Sequence, residues 1–555
     1  DFASRIGCIR ASIDTAEVRR LHLGSLGVEA DDLQPTVYYL ATLRLLRDLL
    51  LQGWTAGTDD DGIYILPPLL NAAGEDPSDT KSELRDSFKF ALADQLLSDS
   101  VTAFISRMEK KGVATVFADG PELADRLATI ADDEDISAAV RPVLELVTAD
   151  ARDAETGLRL QDIWRYARLQ WSIPYQQTPG RNLHYIIRDD AGPGRPVIGI
   201  AALGNAILGL SQRDDALGWS SASLVRRLES ATSAERRKLV RHLVDFMRAE
   251  RDRVYAADLG IRRLRPETAV SRLTDIEQAA DSARRSDLRK AGDERTAEYT
   301  LIRDAHDLVE HGRADDADWI AVAKTQLYRR KRAGNLADTI RTLAIFDGAG
   351  IEEHPERLVE LMRTEDGHRA VETTLRRIKQ QAIAENVMEI ITCGAVAPYN
   401  QILGGKLVAM LMTSPQVVRD VKARYEGKVS LIASGMAGRP IRREPALAVL
   451  TTSSLYAVGS AQYNRVRVPG DIAGSKGDIR YERVGTTDSF GTVQFASDTL
   501  ESLLAVARLA NSKQRLVNNL FGEGMSPKLR SLRLGLDGLG LRPDEYLRHH
   551  SPRLL

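Results

Sequence analysis

His184-Tyr-Ile-Ile187 and Val197-Ile-Gly-Ile-Ala-Ala-Leu203 are strand-like apolar runs, and Asp189-Asp-Ala-Gly-Pro-Gly-Arg-Pro196 between them is rich in turn-forming residues. Two such runs on either side of a turn segment are typical of a β-hairpin. Ahead of the hairpin, residues 141–147 predict a further strand and residues 160–171 predict a helix. This stretch is therefore predicted to begin a core that contains a sheet.

Strand patterns return after residue 385, beginning with Val387-Met-Glu-Ile-Ile-Thr392. Further strands are predicted over residues 429–433, 447–450 and 462–468, the last because its polar and apolar residues alternate. Helices are predicted over residues 403–425, 499–510 and 530–539. The core is accordingly divided into a first half, residues 136–215, and a second half with C-terminal helices, residues 386–555.

The segment between the two halves, residues 216–385, is charged, helical in pattern and nearly free of strand signals. Val240, Leu243, Val244 and Met247 fall at i, i+3, i+4 and i+7, which places them on one helical face. We interpret this segment as a basic helical insertion that splits one domain in two.

Residues 1–135 are predicted to form a mostly helical N-terminal domain. Leucines recur at helical spacing over residues 36–52, residues 81–111 have the pattern of one long helix, and Asp61-Gly62 before Ile-Tyr-Ile is a hairpin signal. A winged helix, which binds DNA, fits this order. An ordinary helical domain with a ribbon at its edge fits it too and is the simpler interpretation.

The composition is that of an ordinary globular protein, with 43% apolar and 28% charged residues among 555. The net charge of -2 gives no overall attraction to nucleic acid, so any basic surface has to be local. The two cysteines, Cys8 and Cys393, exclude a disulfide framework and a CxxC metal site and fit a reducing cytoplasm. No apolar run reaches the roughly 18 residues that span a bilayer. We expect a cytoplasmic protein without membrane contact.

The block from residue 446 to residue 499 places hydrogen-bonding side chains between short apolar runs, a density that suggests a polar site on a rigid sheet. A network of buried polar residues that satisfy one another would produce the same pattern, so both interpretations stay open. The candidate site residues in this block are Thr451, Ser453, Tyr456, Gln462, Tyr463, Asn464 and Arg465.

Ala397-Pro-Tyr-Asn-Gln-Ile-Leu-Gly-Gly-Lys-Leu407 connects a predicted strand to a predicted helix. Unpaired N–H groups at a helix start attract anions, and glycines there allow a phosphate to approach closely. The segment is not a Walker A loop, because Asn400 replaces its first glycine and Leu407 replaces its Ser/Thr. A tight turn that needs glycine for its backbone alone is the alternative. The predicted anion-binding residues are Asn400, Gln401, Gly404, Gly405 and Lys406.

An uninterrupted basic run, Arg329-Arg330-Lys331-Arg332, lies inside the predicted insertion. Such side chains neutralise phosphates, so the run is the predicted nucleic-acid-binding segment. Most other arginines of the insertion are expected to pair with neighbouring acids on solvated helix faces.

Two Arg-Asp pairs, Arg188-Asp189 and Arg213-Asp214, lie close to the hairpin strands and join the candidate polar site. Asp189 or Asp214 would hold Mg²⁺ in a nuclease, although structural ion pairs more commonly explain such neighbours. His306 and His311 lie among acids but diverge on a helix, so no metal site is predicted.

Long motifs occur in both halves of the core. In the first half they are residues 163–171, 179–181, 196–203 and 213–219, and in the second half residues 399–406, 436–440, 451–456, 460–465, 490–492, 521–524 and 551–553. These motifs resemble the DruA family of Druantia anti-phage systems. The resemblance implies a role in bacterial defence against phage, with other Druantia proteins, including a helicase-like protein, as partners. It implies no particular biochemical activity.

The order of predicted strands and helices is also similar to that of the GNAT acyltransferase fold. In that fold the loop after the fourth strand, Q/R-x-x-G-x-G/A, holds the pyrophosphate of acyl-CoA through its N–H groups. Gln401 and Gly404 match this pattern, whereas Lys406 stands where it has a small residue. We expect an α+β fold: a GNAT-like mixed-sheet core split by a long helical insertion, after a mostly helical N-terminal domain.

These observations predict a defence component that engages DNA or a DNA-processing helicase partner. Lys406, Arg465 and the 329–332 run would meet phosphates, while Gln462, Tyr463 and Asn464 would hydrogen-bond or stack. The alternatives are an acyl-CoA-dependent N-acyltransferase, a Mg²⁺ nuclease and an assembly subunit that forms homo-oligomers. No resident cofactor is predicted, acyl-CoA and Mg²⁺ stay open as alternatives, and the sequence does not decide whether the chain is an enzyme.

Overall fold

The fold is α+β, as predicted, and a seven-stranded mixed sheet carries its core. A computed structural model describes residues 30–51, 55–59, 62–66, 92, 95–96, 99–131, 136–171, 180–291, 296–402, 404–453, 461–490, 495–510, 527–541 and 548–554. Within these residues, no helix is both long enough and apolar enough to cross a membrane.

The sheet is built around the predicted hairpin. Its strands are β1 (Pro142–Val147), β2 (Asn182–Asp189), β3 (Val197–Asn205), β4 (Val387–Ala395), β5 (Val449–Ser453), β6 (Arg483–Phe490) and β7 (Arg548–Leu554). Their order across the sheet is β6-β7-β5-β4-β3-β2-β1. All neighbours are antiparallel except β4 and β5, which are parallel. The strands β2 and β3 confirm the predicted hairpin, which lies inside the sheet rather than at its edge.

Helices account for most of the remaining described chain. Eleven of the described helices are α1 (Ala30–Leu51), α2 (Asp99–Lys110), α3 (Leu160–Arg168), α4 (Ser233–Arg253), α5 (Pro266–Ala291), α6 (Gln326–Ala349), α7 (Glu365–Asn386), α8 (Lys406–Met412), α9 (Pro415–Tyr425), α10 (Ser497–Ala510) and α11 (Pro527–Gly538). Other helices are Gly120–Ala128, Ile136–Ala139, Ser211–Ala216, Ser221–Ser230, Ala297–Glu310, Trp319–Lys324, Arg357–Leu361, Leu431–Ala437, Ala461–Asn464 and Gly470–Ala473. The helix predicted over residues 403–425 is divided into α8 and α9, because Pro415 starts a new helix at its first position.

Two predicted strands are wrong. Residues 429–433 run into the helix Leu431–Ala437, whose start is capped by the Ser430 hydroxyl. Residues 462–468 begin inside the helix Ala461–Asn464, and only Arg467–Val468 pairs as a strand, with Ile479–Arg480. The alternation there was misleading because Tyr463 and Val466, three residues apart, are buried on one side of a helical turn.

Apolar clusters cover both faces of the sheet. On one face, Tyr185, Leu203 and Ile390 pack against Val408 and Met412 of α8. The other face buries apolar residues from β2 and β3, including Ile186 and Ile200, against α2 and α3. Strand residues alternate between these faces, so the central strands contribute to both clusters and are apolar almost throughout.

The predicted insertion is helical in the structure, and its predicted face, Val240, Leu243, Val244 and Met247, is buried. Its last helix, α7, ends at Asn386 and is followed directly by the sheet, because Val387 is both the C-cap residue of α7 and the first residue of β4. The insertion and the core are therefore joined there without a linker.

The segment predicted as an N-terminal domain packs in two places. Leu45 and Leu49 of α1 belong to a core cluster with apolar residues of α10 and α11. Helix α2 instead buries Phe104 and Met108 against the sheet. The predicted hairpin is confirmed as Thr55–Asp59 paired with Gly62–Leu66. The winged-helix hypothesis and the domain boundaries stay predictions.

Candidate functional site

Among the described residues, the pairing between the parallel strands β4 and β5 ends before β4 does. Their pairing stops at Ile390 and Thr452, whereas β4 continues to Ala395 beside β3. A bulge at Ile391 coincides with this point, because the register with β3 skips that residue. Bulges commonly occur next to functional sites, where they re-aim a strand. The carboxyl half of β4 and the turn that follows it form the candidate site.

The side chain of Gln462 fills the space beside this half of β4. Its Nε2 atom donates a hydrogen bond to the Cys393 carbonyl at 3.2 Å. A Cβ atom on Gly405 would come within 2.1 Å of the Gln462 Oε1 atom, so glycine at 405 is what lets this amide approach the turn. Gln462 thus satisfies a backbone acceptor of β4 that lies beyond the described pairing with β5.

Two buried tyrosines, Tyr463 and Tyr481, belong to the apolar cluster that also contains residues of α8. Tyr463 and Tyr481 are buried with ring centroids 5.0 Å apart, and the Tyr481 hydroxyl donates to the Ala409 carbonyl at 3.0 Å. Burial raises the pKa of both phenols well above the usual value. Burial also raises the pKa of the Cys393 thiol to about 12. All three groups keep their protons at neutral pH, so none is poised as a base or a nucleophile.

The other predicted residues of this site divide by exposure. Asn464 and Arg465 are exposed, whereas Thr451 is buried and Ser453 half-buried. Tyr463 is buried and therefore cannot stack on a base, which corrects that prediction. Tyr456 lies outside the described residues.

The predicted anion-binding turn is open to solvent. Asn400, Gln401 and Lys406 are exposed. Gly404 has a left-handed φ of 55°, and a Cβ atom at this position would have open space within 4 Å. Gly405, in contrast, faces Gln462. Anion binding at this turn stays a prediction.

Asp189 is fully buried and fully satisfied. One carboxylate oxygen accepts from the backbone N–H groups of Arg141 and Ala191, and the other from Tyr399 Oη at 2.7 Å and Arg126 Nη2 at 3.0 Å. Burial raises the pKa of this carboxyl, but the four hydrogen bonds outweigh burial and hold it below its usual value. Asp189 therefore ties the β2 end to the turn after β4 and has no position left for a metal ion.

Arg188 points to the opposite side of β2 from Asp189. Its guanidinium binds Asp153 at 2.8 Å and Glu145 at 3.0 Å, and only 2% of the side chain is exposed. The adjacent residues are therefore not partners of each other, and each anchors a different loop to the sheet.

Asp214 belongs to a third buried network. It accepts from Arg213 at 2.7 Å and from Lys379 of α7 at 2.7 Å, and Arg213 also donates to the Ile207 and Leu208 carbonyls. Asp189 and Asp214 share none of these partners. Each of the two alternative nuclease carboxylates is therefore held in its own buried network of ion pairs and hydrogen bonds.

The basic run is divided between the interior and the surface of the insertion. Arg332 is fully buried and binds Asp258 through its two terminal nitrogens, Nη1 at 2.7 Å and Nη2 at 2.8 Å. Arg330 lies 3.8 Å from Asp281, and Arg329 and Lys331 are half-buried. Arg332 is unavailable to phosphate because its charge is already neutralised inside the fold, which corrects its predicted role.

Exposed arginines occur at a turn that the predicted sites do not include. Arg262, Arg263 and Arg265 are all exposed, and none of them has an ion pair or side-chain hydrogen bond to another described residue. The turn closes through a hydrogen bond from Leu264 N to the Ile261 carbonyl at 3.1 Å. Its signal, three arginines in four residues, is visible in the sequence.

His306, Asp307 and Glu310 have ligand atoms within 4.8 Å of one another. His306 and Glu310 share a helix face, as their spacing predicts, with Nε2 and Oε1 3.6 Å apart. Both are exposed and Asp307 is half-buried, and exposed acidic groups are common where no ion binds.

The chain matches a family model described as Druantia protein DruA over residues 107–236 and 372–553, more than half of its length. A curated relative, the Druantia protein DruA of Escherichia coli (strain UMEA 4076-1), is 29% identical over 165 residues. This alignment covers 30% of the chain and 37% of the relative, so the chain spans little more than a third of that relative's length. No solved structure matches the chain significantly. Residues 1–106, 237–371 and 554–555 are outside the family match, and residues 237–371 lie within the predicted helical insertion.

Proposed function

We propose that this chain, which belongs to the DruA family, is a component of an anti-phage defence system and engages nucleic acid there. Its family membership confirms the resemblance inferred from the motifs. The defence role follows from that family, and the nucleic-acid contact is supported chiefly by the arginine turn, residues 261–265. We further propose that a helicase-like, DNA-processing protein of the same system is its partner.

The arginine turn has the properties of a phosphate-binding surface. Its three guanidinium groups are exposed and carry their charge without a carboxylate among the described residues. Arg263 has a φ of 71°, a left-handed conformation that a side chain adopts at a cost that glycine would avoid. Ile261 anchors the turn by packing against the buried cluster that includes Leu259 and Leu336. A strained, anchored turn that presents three unpaired arginines is better explained by a ligand than by stability.

Replacing Arg262, Arg263 and Arg265 together by glutamine is expected to weaken DNA binding and flatten its salt dependence. Each phosphate contact that is removed lowers the slope of log K against log salt by about 0.9 for duplex DNA, so three contacts lower it by about 2.7. Fluorescence anisotropy with labelled single-stranded, duplex and forked DNA across a salt series measures this slope.

The matched control replaces Arg313, Arg341 and Arg369 by glutamine. Like the arginine turn, this control set has three exposed arginines. Unlike those of the turn, each of them already pairs with an acid on its own helix or turn. The control should bind as the unmodified chain does. If both triple variants flatten the slope equally, only net charge matters and the turn is not the contact surface. A chain that does not bind at low salt contradicts the proposal altogether.

A second candidate function, acyl-CoA-dependent N-acyl transfer, is favoured by the strand order. We propose that the core is GNAT-like, since an antiparallel run from β1 to β4, a parallel β4–β5 pair and the turn at 400–406 follow the expected order. The position of Gln462 weighs against it, because this side chain holds the Cys393 carbonyl and lies against Gly405. A cofactor that reached β4 would have to displace that amide.

Isothermal titration of acetyl-CoA tests this second function. If the carboxyl half of β4 and the turn after it bind the cofactor, Gln462→Ala should bind it about fivefold more tightly than the unmodified chain. The reason is that the Gln462 hydrogen bond to Cys393, worth about 1 kcal/mol, no longer has to break. Absence of heat with both proteins would remove acyl transfer and leave an assembly role, including homo-oligomerisation, as the alternative to nucleic-acid binding.

A further inference from the structure

A basic cleft of about 660 Å³ lies between the end of α2 and the loop that leads into α3. Its charged lining consists of Arg107, Lys111, Arg152, Arg159 and Asp162. Asp162 is already bound by Arg159, with Nε and Oδ2 3.0 Å apart. Among the described residues, the other three cations have no carboxylate partner. The cleft therefore concentrates positive charge that the fold itself does not neutralise.

The loop side of the cleft is rigid. Asp153 accepts from the backbone N–H and the hydroxyl of Thr156 at 2.8 and 2.6 Å, and its other oxygen accepts from Arg188 at 2.8 Å. Arg152 and Arg159 pair through a backbone bridge, so their side chains start from neighbouring positions. Arg152 Nη1 also donates to the Gly157 carbonyl at 2.9 Å, which restricts its orientation. These arginines are held in place before any ligand arrives.

The helix side is fixed by packing. Phe104 and Met108 of α2 are buried with Leu158 and Ile163, and the Arg165 guanidinium lies over the Phe104 ring at 4.2 Å. Cations at a helix carboxyl end are stabilised by the helix dipole, which is a structural reason for Arg107 and Lys111. That reason does not extend to Arg152 and Arg159, which lie on a loop and face the same space.

We propose that this cleft binds a polyphosphate group, as carried by a nucleoside di- or triphosphate or by the 5′ end of a nucleic acid. Three cations without a carboxylate match the several adjacent charges of a polyphosphate better than the single charge of a phosphodiester. Two of the three are arginines, and guanidinium groups bind phosphate oxygens in pairs. The volume is in the range of small-molecule sites, roughly 300–1,000 Å³. The lining includes no aromatic ring among the described residues, so the site is expected to accept different bases.

Calorimetry with inorganic tripolyphosphate in a low-salt, metal-free buffer tests the proposal. The pair of substitutions Arg107→Gln and Lys111→Gln should weaken binding at least about tenfold, since the loss of even one charged hydrogen bond weakens binding by about that factor. The matched control is Arg237→Gln with Lys238→Gln, an exposed pair on α4 outside the cleft. The control should leave the affinity unchanged, and both variants should keep their melting temperature. No heat with the unmodified chain, or equal weakening by both pairs, overturns the proposal.

The source of the polyphosphate is separated by competition. ATP and GTP that compete as well as tripolyphosphate support a free nucleotide. An RNA with a 5′ triphosphate that binds at least about tenfold more tightly than ATP supports a nucleic-acid end. Equal binding of that RNA and its 5′-hydroxyl form removes the nucleic-acid end as the source, and failure of ATP, GTP and this RNA to compete with tripolyphosphate contradicts both sources. The arginine turn at 261–265 is outside the cleft. The proposed cleft site and the proposed nucleic-acid contact are therefore tested separately, the first by tripolyphosphate binding and the second by duplex binding.

Discussion

The Asp258→Ala substitution is expected to destabilise the helical insertion by about 3–5 kcal/mol, because it leaves the buried Arg332 guanidinium without its carboxylate. Arg332 is 0% exposed and binds Asp258 through two hydrogen bonds. Its remaining partners are the carbonyls of Ala323 and Tyr255, which do not neutralise a charge. The shift of the urea unfolding midpoint, followed by circular dichroism, measures the destabilisation.

Two further variants separate pairing from general damage to this region. Asp281→Ala removes the neighbouring partner of Arg330, where both side chains are 29% exposed, and should cost less than about 1 kcal/mol. Combining Asp258→Ala with Arg332→Met should recover much of the stability, because no buried charge then remains unpaired. Equal destabilisation by Asp258→Ala and Asp281→Ala would show that Arg332 is not held as the structure describes.

The second large effect is expected for Asp189→Asn, which should lower the free energy of unfolding by about 2–6 kcal/mol. An asparagine keeps one acceptor oxygen but presents an NH₂ group to the other two of the four donors that now surround the carboxylate. Each buried donor left without an acceptor costs about 1–3 kcal/mol. The matched control is the adjacent Asp190→Asn, whose carboxylate pairs with Arg195 at the surface, and it should change stability by less than about 1 kcal/mol.

The Asp189 effect also has a defined pH dependence. The pKa of this carboxyl is lowered in the folded state from 3.8, so its contribution is complete above that value and is lost as pH falls toward the folded pKa. The stability difference between the unmodified chain and Asp189→Asn should therefore be constant from about pH 7 to 5 and shrink below about pH 4. Urea unfolding at several pH values measures it. A difference that grows on acidification would contradict this assignment.

Local sequence signals predicted the elements that local physics determines. The hairpin of β2 and β3 follows from two apolar runs and a turn segment, and the face of α4 follows from helical spacing. The prediction of a strand over 462–468 failed because seven residues do not distinguish polar–apolar alternation from the buried side of a helical turn. Elements that are long or bounded by turn residues were predicted best.

The candidate site was less predictable because its partners are distant in sequence. The tyrosine that binds Asp189 is 210 residues away, and the carboxylate that binds Arg332 is 74 residues away. The basic run at 329–332 illustrates a second reason. Four consecutive helical residues extend around most of the helix circumference, so at least one of them faces inward when the helix is packed. Arg332 is that residue. Because the four residues of the run are all basic, the sequence does not show which of them is buried.

The packing of α1 on α10 and α11 affects how the chain is synthesised. Arg47 of α1 binds Asp498 of α10 across 451 residues. At translation rates of roughly 5–20 residues per second, α1 leaves the ribosome about 20–90 s before that partner exists. Its buried leucines must be kept from aggregation during this interval. Strand β3 (Val197–Asn205) waits a shorter time, about 9–36 s at the same rates, before β4 (Val387–Ala395) is made, so nascent-chain protection is a requirement of this architecture.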